Sequence, residues 1–345
     1  MNKAVFSPVR GAHDSAPGDA PSVNLVEAVN MALAHEMERD EDVVVLGEDI
    51  GVNGGVFRAT ANLRERFGFQ RVMDTPLAEG LIAGISVGMA TQGLKPVAEI
   101  QFMGFVYAAM EHLVCHAARM RNRTRGRLTC PMVLRAPYGG GIGAPELHSE
   151  STEALFAHIP GLRVVVPSSP ARAYGLLLAA IRDPDPVMFL EPKRIYRAVR
   201  RTVPDNGEAL PLDTCFTLRV GGDVTLITWG AMVTETLAAA ELLSREGVEA
   251  EVVDVGTLKP LDMDTILQSV RKTGRCVIIH EAARTGGVGA EIAAGIVEQA
   301  MGELLAPPAR VTGYDTVMPY FKNEHHYMPS ETDIVKRVRE IMESS

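Results

Sequence analysis

The sequence predicts an α/β protein built as two doubly wound domains. Three observations predict it. Apolar runs of strand length alternate with helical patterns along most of the chain, the signature of parallel sheets covered on both faces. The alternation lapses once, over residues 201–220, where Pro204, Asn206, Gly207 and Pro211 interrupt it, and then resumes. The length of 345 residues exceeds what one compact domain usually holds.

The elements follow in order. Residues 1–21, rich in Gly, Ala, Pro, Ser and Asp, read as a loose tail. Ser22 can cap a helix whose apolar face carries Leu25, Val29, Ala32 and Leu33. Val43–Leu46 is a buried strand ending at Gly47. Leu81–Ala90 is a helix of small and apolar residues. A strand lies within Lys95–Phe102, and Tyr107–Arg119 reads as a helix. Met132–Leu134 is a strand entering a glycine-rich loop, and Val164–Val166 is a strand stopped by Pro167. Helix Ala171–Arg182 and strand Val187–Leu190 complete a first domain over 22–200, followed by the linker at 201–220. The second domain, 221–345, holds strands Val224–Thr228, Ala250–Val255 and Cys276–His280. Its helices are Met232–Leu243, Asp264–Arg271 and Ala290–Met301.

Bulk properties exclude several classes. A formal net charge of −9 argues against nucleic acid and anionic membranes as partners. The one arginine-dense stretch, Arg119, Arg121, Arg123, Arg125 and Arg127, suits a solvated surface or a subunit contact. Cys115, Cys130, Cys215 and Cys276 form no zinc-type spacing and read as buried free thiols of a reducing compartment. With no membrane-length apolar run and no secretory layout at the N-terminus, the expected location is cytoplasmic.

Ligands of open parallel sheets bind beyond the carboxyl ends of strands. Glu48 and Asp49 follow the first strand, and Gln101 and Phe102 the Lys95 strand. Gly139–Gly143 and then His148 follow the Met132 strand. Glu79 opens the Leu81 helix, where a carboxylate is also simply favoured by the helix dipole. The glycine run could cradle a phosphate or form a tight loop, while Gly286–Gly289 fits helix packing better than a nucleotide fingerprint. Neither a G-x-S-x-G elbow nor an HExxH zinc motif occurs. The residues alone thus reach a two-domain α/β protein with a small-molecule site.

An ordered set of segments goes further. They are Leu46-Gly47-Glu48-Asp49, Gly54-Gly55-Val56-Phe57-Arg58, Asp74-Thr75-Pro76-Leu77-Ala78-Glu79-Gly80 and Ala98-Glu99-Ile100-Gln101-Phe102. His148-Ser149, Glu191-Pro192-Lys193 and Gly313-Tyr314-Asp315-Thr316 follow in the same order. Together, from about residue 22 to the C-terminus, the chain resembles the beta subunits of thiamine-diphosphate-dependent 2-oxo acid dehydrogenases. The resemblance implies a pyrimidine-binding domain followed by a transketolase C-terminal-like domain. It implies an alpha subunit that supplies the diphosphate and Mg2+ site, in a tetramer of two alpha and two beta chains. The GDG motif of that site is absent here, as a beta subunit requires.

By the same resemblance, Glu79 hydrogen-bonds the pyrimidine N1′ and favours the tautomer that takes the thiazolium proton. Glu48, Leu77, Gln101 and Phe105 line the cofactor. His148 assists acyl transfer to the lipoyl arm of an acyltransferase core. Cys130, Met132, Val133, Ala180, Asp183 and Asp185 match a K+ site built mostly of backbone carbonyls, for which a turn without an ion is the alternative.

Gly54–Arg58, Phe189–Lys193 and Tyr196-Arg197 look most like the branched-chain enzyme, so a branched-chain 2-oxo acid is the expected substrate. Met103-Gly104-Phe105 departs from that pattern by lacking a tyrosine hydroxyl, which keeps pyruvate and acetoin dehydrogenases as alternatives. A subunit that binds the acyltransferase core without catalysis is the alternative of another class. Intact Glu79 and His148 speak against it.

Overall fold

The computed structural model describes residues 20–343, so the expected tail lies, up to residue 19, outside the described residues. The chain runs β1 (Ser22–Val23), α1 (Leu25–Arg39), β2 (Val43–Gly47), α2 (Leu63–Phe67), β3 (Val72–Asp74), α3 (Glu79–Thr91) and β4 (Lys95–Glu99). An irregular helical segment, Met103–Arg119, leads to α4 (Met120–Arg123) and β5 (Val133–Tyr138). Then come α5 (Glu153–Ala157), β6 (Arg163–Val165), α6 (Pro170–Arg182), β7 (Val187–Pro192), β8 (Arg201–Thr202) and β9 (Phe216–Arg219). The remainder is β10 (Val224–Thr228), α7 (Val233–Arg245), β11 (Ala250–Asp254), β12 (Thr257–Lys259), α8 (Met263–Thr273) and β13 (Cys276–Ala283). It closes with α9 (Val288–Ala300), β14 (Ala309–Gly313), α10 (Glu324–Tyr327) and α11 (Glu331–Glu343).

Two α/β sheets result. The first has the order β12-β6-β7-β5-β4-β2-β3, the second β14-β13-β10-β11-β9. All pairings within them are parallel except those of the edge strands β12 and β9. Strand β12 leaves the second unit and pairs antiparallel with β6, stitching the two sheets together.

Side-chain alternation divides each strand between two layers. Val43 and Val45 face α1 and α6, while Leu46 faces inward; Val187 and Phe189 divide from Met188 and Leu190 in the same way. In the second sheet, Leu226 and Val252 belong to the outer layer with α7 and α11, and Ile227 and Val253 to the inner one. The inner cluster is continuous. It joins Leu46, Ala98 and Leu134 to Ile227, Val253 and Ile278, with α3, α8 and α9 between. The central strands, such as β2 and β10, are mostly apolar because both of their faces are buried.

Several local expectations are corrected. Asn24, not Ser22, caps α1, through a reciprocal box in which Glu27 N–H donates to Asn24 Oδ1 at 3.0 Å and Asn24 N–H to Glu27 Oε2 at 2.9 Å. Ser22 instead pairs with Thr202 in a short antiparallel ladder. Within the expected linker, Phe216–Arg219 forms the edge strand β9. Cys115 is exposed, whereas the other three free thiols are buried.

The expected helix Tyr107–Arg119 is a 3-10 segment (Met103–Ala109), a π turn (His112–His116) and a second 3-10 turn. Close backbone approaches shape it. A Cβ on Gly104 would stand 2.1 Å from the Leu147 carbonyl oxygen, and one on Gly161 would stand 2.0 Å from that of Ala118. The small residues of α3 admit this segment, since Gly80 lies against the Ala108 carbonyl and Gly84 against His112.

Candidate active site

The carboxyl ends of β2, β4 and β5 and the first turn of α3 converge on one place. Glu48 follows β2 and is buried, and among the described residues its Oε1 has no hydrogen-bond partner. Burial pushes its carboxyl above the usual range, the charges of Glu79 and Asp49 push further, and a backbone hydrogen bond from Ala78 opposes them. Glu79 is the first residue of α3 and half-buried. The Thr75 hydroxyl, in the turn before α3, is also buried without a partner.

Gln101 and Phe102 follow β4, both half-buried. Phe102 begins a ring cluster, with Phe57 at 5.5 Å, Phe105 at 5.9 Å and His148 at 4.4 Å. Phe105 meets His148 edge-on at 5.2 Å. The imidazole is therefore held by two aromatic rings, and its Nδ1 is buried with no partner among the described residues. His148 closes a 3-10 turn, Glu146–His148, that the Gly104 backbone touches at Leu147.

The structure thus brings Glu48 next to Glu79, and Phe105 next to His148. Leu77 lies beside them in sequence, but its side chain is 80% exposed. Cys130, Met132 and Val133 lie elsewhere, at the amino end of β5, where Cys130 N–H donates to the Pro184 carbonyl at 3.2 Å. That contact gathers them with Ala180, Asp183 and Asp185. Both carboxylates there are engaged, Asp183 with Arg163 at 3.0 Å and Asp185 with Arg121 at 2.8 Å. Among the described residues, no cluster of three or more His, Cys, Asp or Glu side chains could hold a metal.

The unpartnered Glu48 Oε1, Thr75 Oγ1 and His148 Nδ1 suit a polar heteroaromatic ring rather than an apolar ligand. An aminopyrimidine, with ring nitrogens and an exocyclic amine, has the donors and acceptors that such atoms require.

Sequence reasoning missed the support beneath the site. Arg135 in β5 is buried between Glu99 and Glu191, donating to Glu191 through Nε (2.7 Å) and Nη2 (2.9 Å) and to Glu99 through Nη1. Tyr196 donates its hydroxyl to Glu191 as well. Burial opposes the Arg135 charge, but Glu191 and Glu99 outweigh it and hold the guanidinium protonated. Glu99 and Glu191 stand in the family-like segments of the sequence, yet no local pattern points to Arg135 as their shared partner.

Comparisons with known proteins identify the two domains and the family. The family model "Transketolase, pyrimidine binding domain" matches residues 21–199. The model "Transketolase, C-terminal domain" matches residues 214–334. A split-gene transketolase, described as an inactive beta4 tetramer, shares the fold with a TM-score of 0.75 at 24% identity, over 94% of this chain and 99% of its own. Fold and site therefore define a two-domain, transketolase-like α/β protein.

The pyruvate dehydrogenase E1 component subunit beta of Acholeplasma laidlawii is 50% identical over 319 residues, 92% of this chain and 98% of that protein. Its namesake from Bacillus subtilis (strain 168) is 47% identical over 321 residues, 93% of this chain and 99% of that protein. The chain belongs to the family of beta subunits of thiamine-diphosphate-dependent 2-oxo acid dehydrogenase E1 components, which are oxidoreductases. The expected branched-chain specificity is not what these relatives favour, since both are named for pyruvate.

Proposed function

We propose that this chain provides the aminopyrimidine-binding half of a pyruvate-decarboxylating active site, completed by an alpha subunit in a tetramer of two alpha and two beta chains. The observation that carries the proposal is Glu79 in the first turn of α3, beside a buried Glu48 whose Oε1 has no partner. Bound there, thiamine diphosphate supplies the electron sink that lets carbon dioxide leave the 2-oxo acid. Glu79 accepts a hydrogen bond from the pyrimidine ring and so sets its protonation. Glu48, the Leu77 backbone, Gln101 and Phe105 fix the ring's place. His148, gripped by Phe102 and Phe105, serves the later transfer of the acyl group to a lipoyl arm of an acyltransferase core.

Pyruvate is preferred over a branched-chain acid for two reasons. The relatives at 50% and 47% identity bear its name. The ring beside His148 is Phe105, which lacks a hydroxyl. Mg2+ and the diphosphate fall to the alpha subunit, because this chain has no GDG motif. A K+ ion held by carbonyls of the Cys130–Val133 and Ala180–Asp185 segments belongs to the same proposal, supported by their contact at Pro184.

The test is carbon dioxide release by the assembled tetramer from pyruvate and from 3-methyl-2-oxobutanoate. Pyruvate should be preferred, and Glu79→Gln should lower release by roughly a hundredfold or more, the scale of a lost proton-transfer contribution. Preference for the branched acid would overturn the substrate, and full activity of the variant would overturn the role of Glu79.

A further inference from the structure

The Gly139–Gly143 loop, which the sequence left open between a phosphate cradle and a tight loop, is filled from the second domain. Gly139, Gly141 and Gly143 have φ of +82°, +87° and +68°, and the loop turns its N–H groups toward that domain. Gly140 N–H donates to Glu281 Oε1 at 3.1 Å. Gly141 N–H and Gly143 N–H donate to the two oxygens of Glu324, at 2.6 and 2.7 Å. Protein carboxylates thus occupy the positions an anion would take.

The seam is tight, and positive φ at Gly139 and Gly141 favours glycine there. A Cβ on Gly139 would stand 1.9 Å from Glu281 Oε1, and one on Gly141 would stand 2.0 Å from Arg194 Cδ. Glu281 also accepts from Ser151 Oγ at 2.8 Å, so it grips the chain on both sides of His148 while Glu324 grips the middle of the loop. Among the described residues His148 has no hydrogen-bond partner at Nδ1, and its ring rests between Phe102 and Phe105. Among the described residues, backbone position and aromatic packing aim the imidazole.

We propose that Glu324 is a positioning residue for His148: its carboxylate, by holding Gly141 N–H and Gly143 N–H, sets where the imidazole meets the acyl group being transferred. The inference rests on the reading of His148 as the transfer residue. A charge-assisted pair of hydrogen bonds suits the task, because it fixes two points of backbone at once. Displacements of about 1 Å at a reacting group cost roughly a hundredfold in rate.

The experiment uses the assembled enzyme with Glu324→Ala, the isosteric Glu324→Gln, His148→Ala, and Glu324→Ala combined with His148→Ala. Three quantities are read: acyl transfer to a lipoylated domain, carbon dioxide release with an artificial electron acceptor, and hydrogen exchange of residues 139–149. Glu324→Ala should lower acyl transfer roughly ten- to a hundredfold, and by more than it lowers carbon dioxide release. Glu324→Gln, which keeps one acceptor oxygen, should lose less. Glu324→Ala should not add to the loss from His148→Ala in the double variant, and the loop amides should exchange faster in both Glu324 variants.

Two results overturn the proposal alone: slow transfer in His148→Ala with undiminished transfer in Glu324→Ala, or losses that multiply in the double variant. Undiminished transfer in His148→Ala overturns the reading of His148, and the positioning role falls with it.

Discussion

Arg135 and Glu191 meet as two parallel hydrogen bonds on neighbouring strands, 2.7 Å from Nε and 2.9 Å from Nη2, both side chains almost wholly buried. Such a pair is strong only while complete. Glu191→Gln would keep one acceptor oxygen but leave the buried guanidinium with Glu99 as its one carboxylate partner among the described residues. We expect a loss of about 3–5 kcal/mol, read as a shift in the denaturant midpoint at unchanged slope. A loss under roughly 1 kcal/mol would mean that the guanidinium finds another partner or water.

Gly104→Ala should be more damaging than its size suggests. The new methyl would meet the Leu147 carbonyl oxygen at 2.1 Å, and both are backbone-fixed. Overpacking of this kind costs about 1–3 kcal/mol. It also moves the turn that carries His148. Thermal unfolding and acyl transfer should therefore fall together, the second more steeply.

Glu153 gives the fold a pH dependence. Burial lifts its carboxyl to about 7, against hydrogen bonds that include one donated by Trp229 Nε1 at 3.3 Å. A group whose pKa is raised by folding stabilises fully below its unfolded value and loses that contribution as pH rises through the folded value. Between pH 4.5 and about 7 the folded state should therefore weaken through this group, by ~3 kcal/mol at most. Glu153→Gln removes the titration. The stability difference between variant and wild type should move in the variant's favour from pH 5 to 8, and parallel curves would show that Glu153 is not the source.

The K+ site makes a prediction about salt. Potassium chloride should raise the unfolding midpoint above that in choline chloride at equal ionic strength, in proportion to the logarithm of K+ once the site fills. Identical midpoints in the two salts would remove the ion from the proposal.

How far the fold could be read depended on how each element is stabilised. Strands buried on both faces announce themselves by apolar residues, unbroken in Val43–Gly47 and interrupted by a few polar ones in Val224–Thr228 and Ala250–Asp254. Strand β3 does not, because its three residues hold their place through Arg71, whose guanidinium donates to the carbonyls of Met37, Asp40 and Val43. The segment Met103–Arg119 carries a helical pattern, yet its neighbours at Leu147 and Gly161 bend it into 3-10 and π turns. Within the site, Glu48 and Glu79 could be found because they follow strand and helix boundaries. Glu281 also stands out at a strand end, but its meeting with the glycine loop, like that of Glu324, does not. The two carboxylates reach the glycine loop across separations of 141 and 183 residues, and no local pattern encodes that meeting.

The inner layer shared by both sheets has a consequence for the chain as a physical object. Leu46, Leu134, Ile227 and Ile278 bury one another's surroundings, and β12 crosses from one unit to pair with the other. A cut in the connection near Gly207 would give two fragments, each with a raw apolar wall, prone to stick to whatever is near. In calorimetry the intact chain should melt as a single endotherm, because neither half retains a dry interior once its companion has gone.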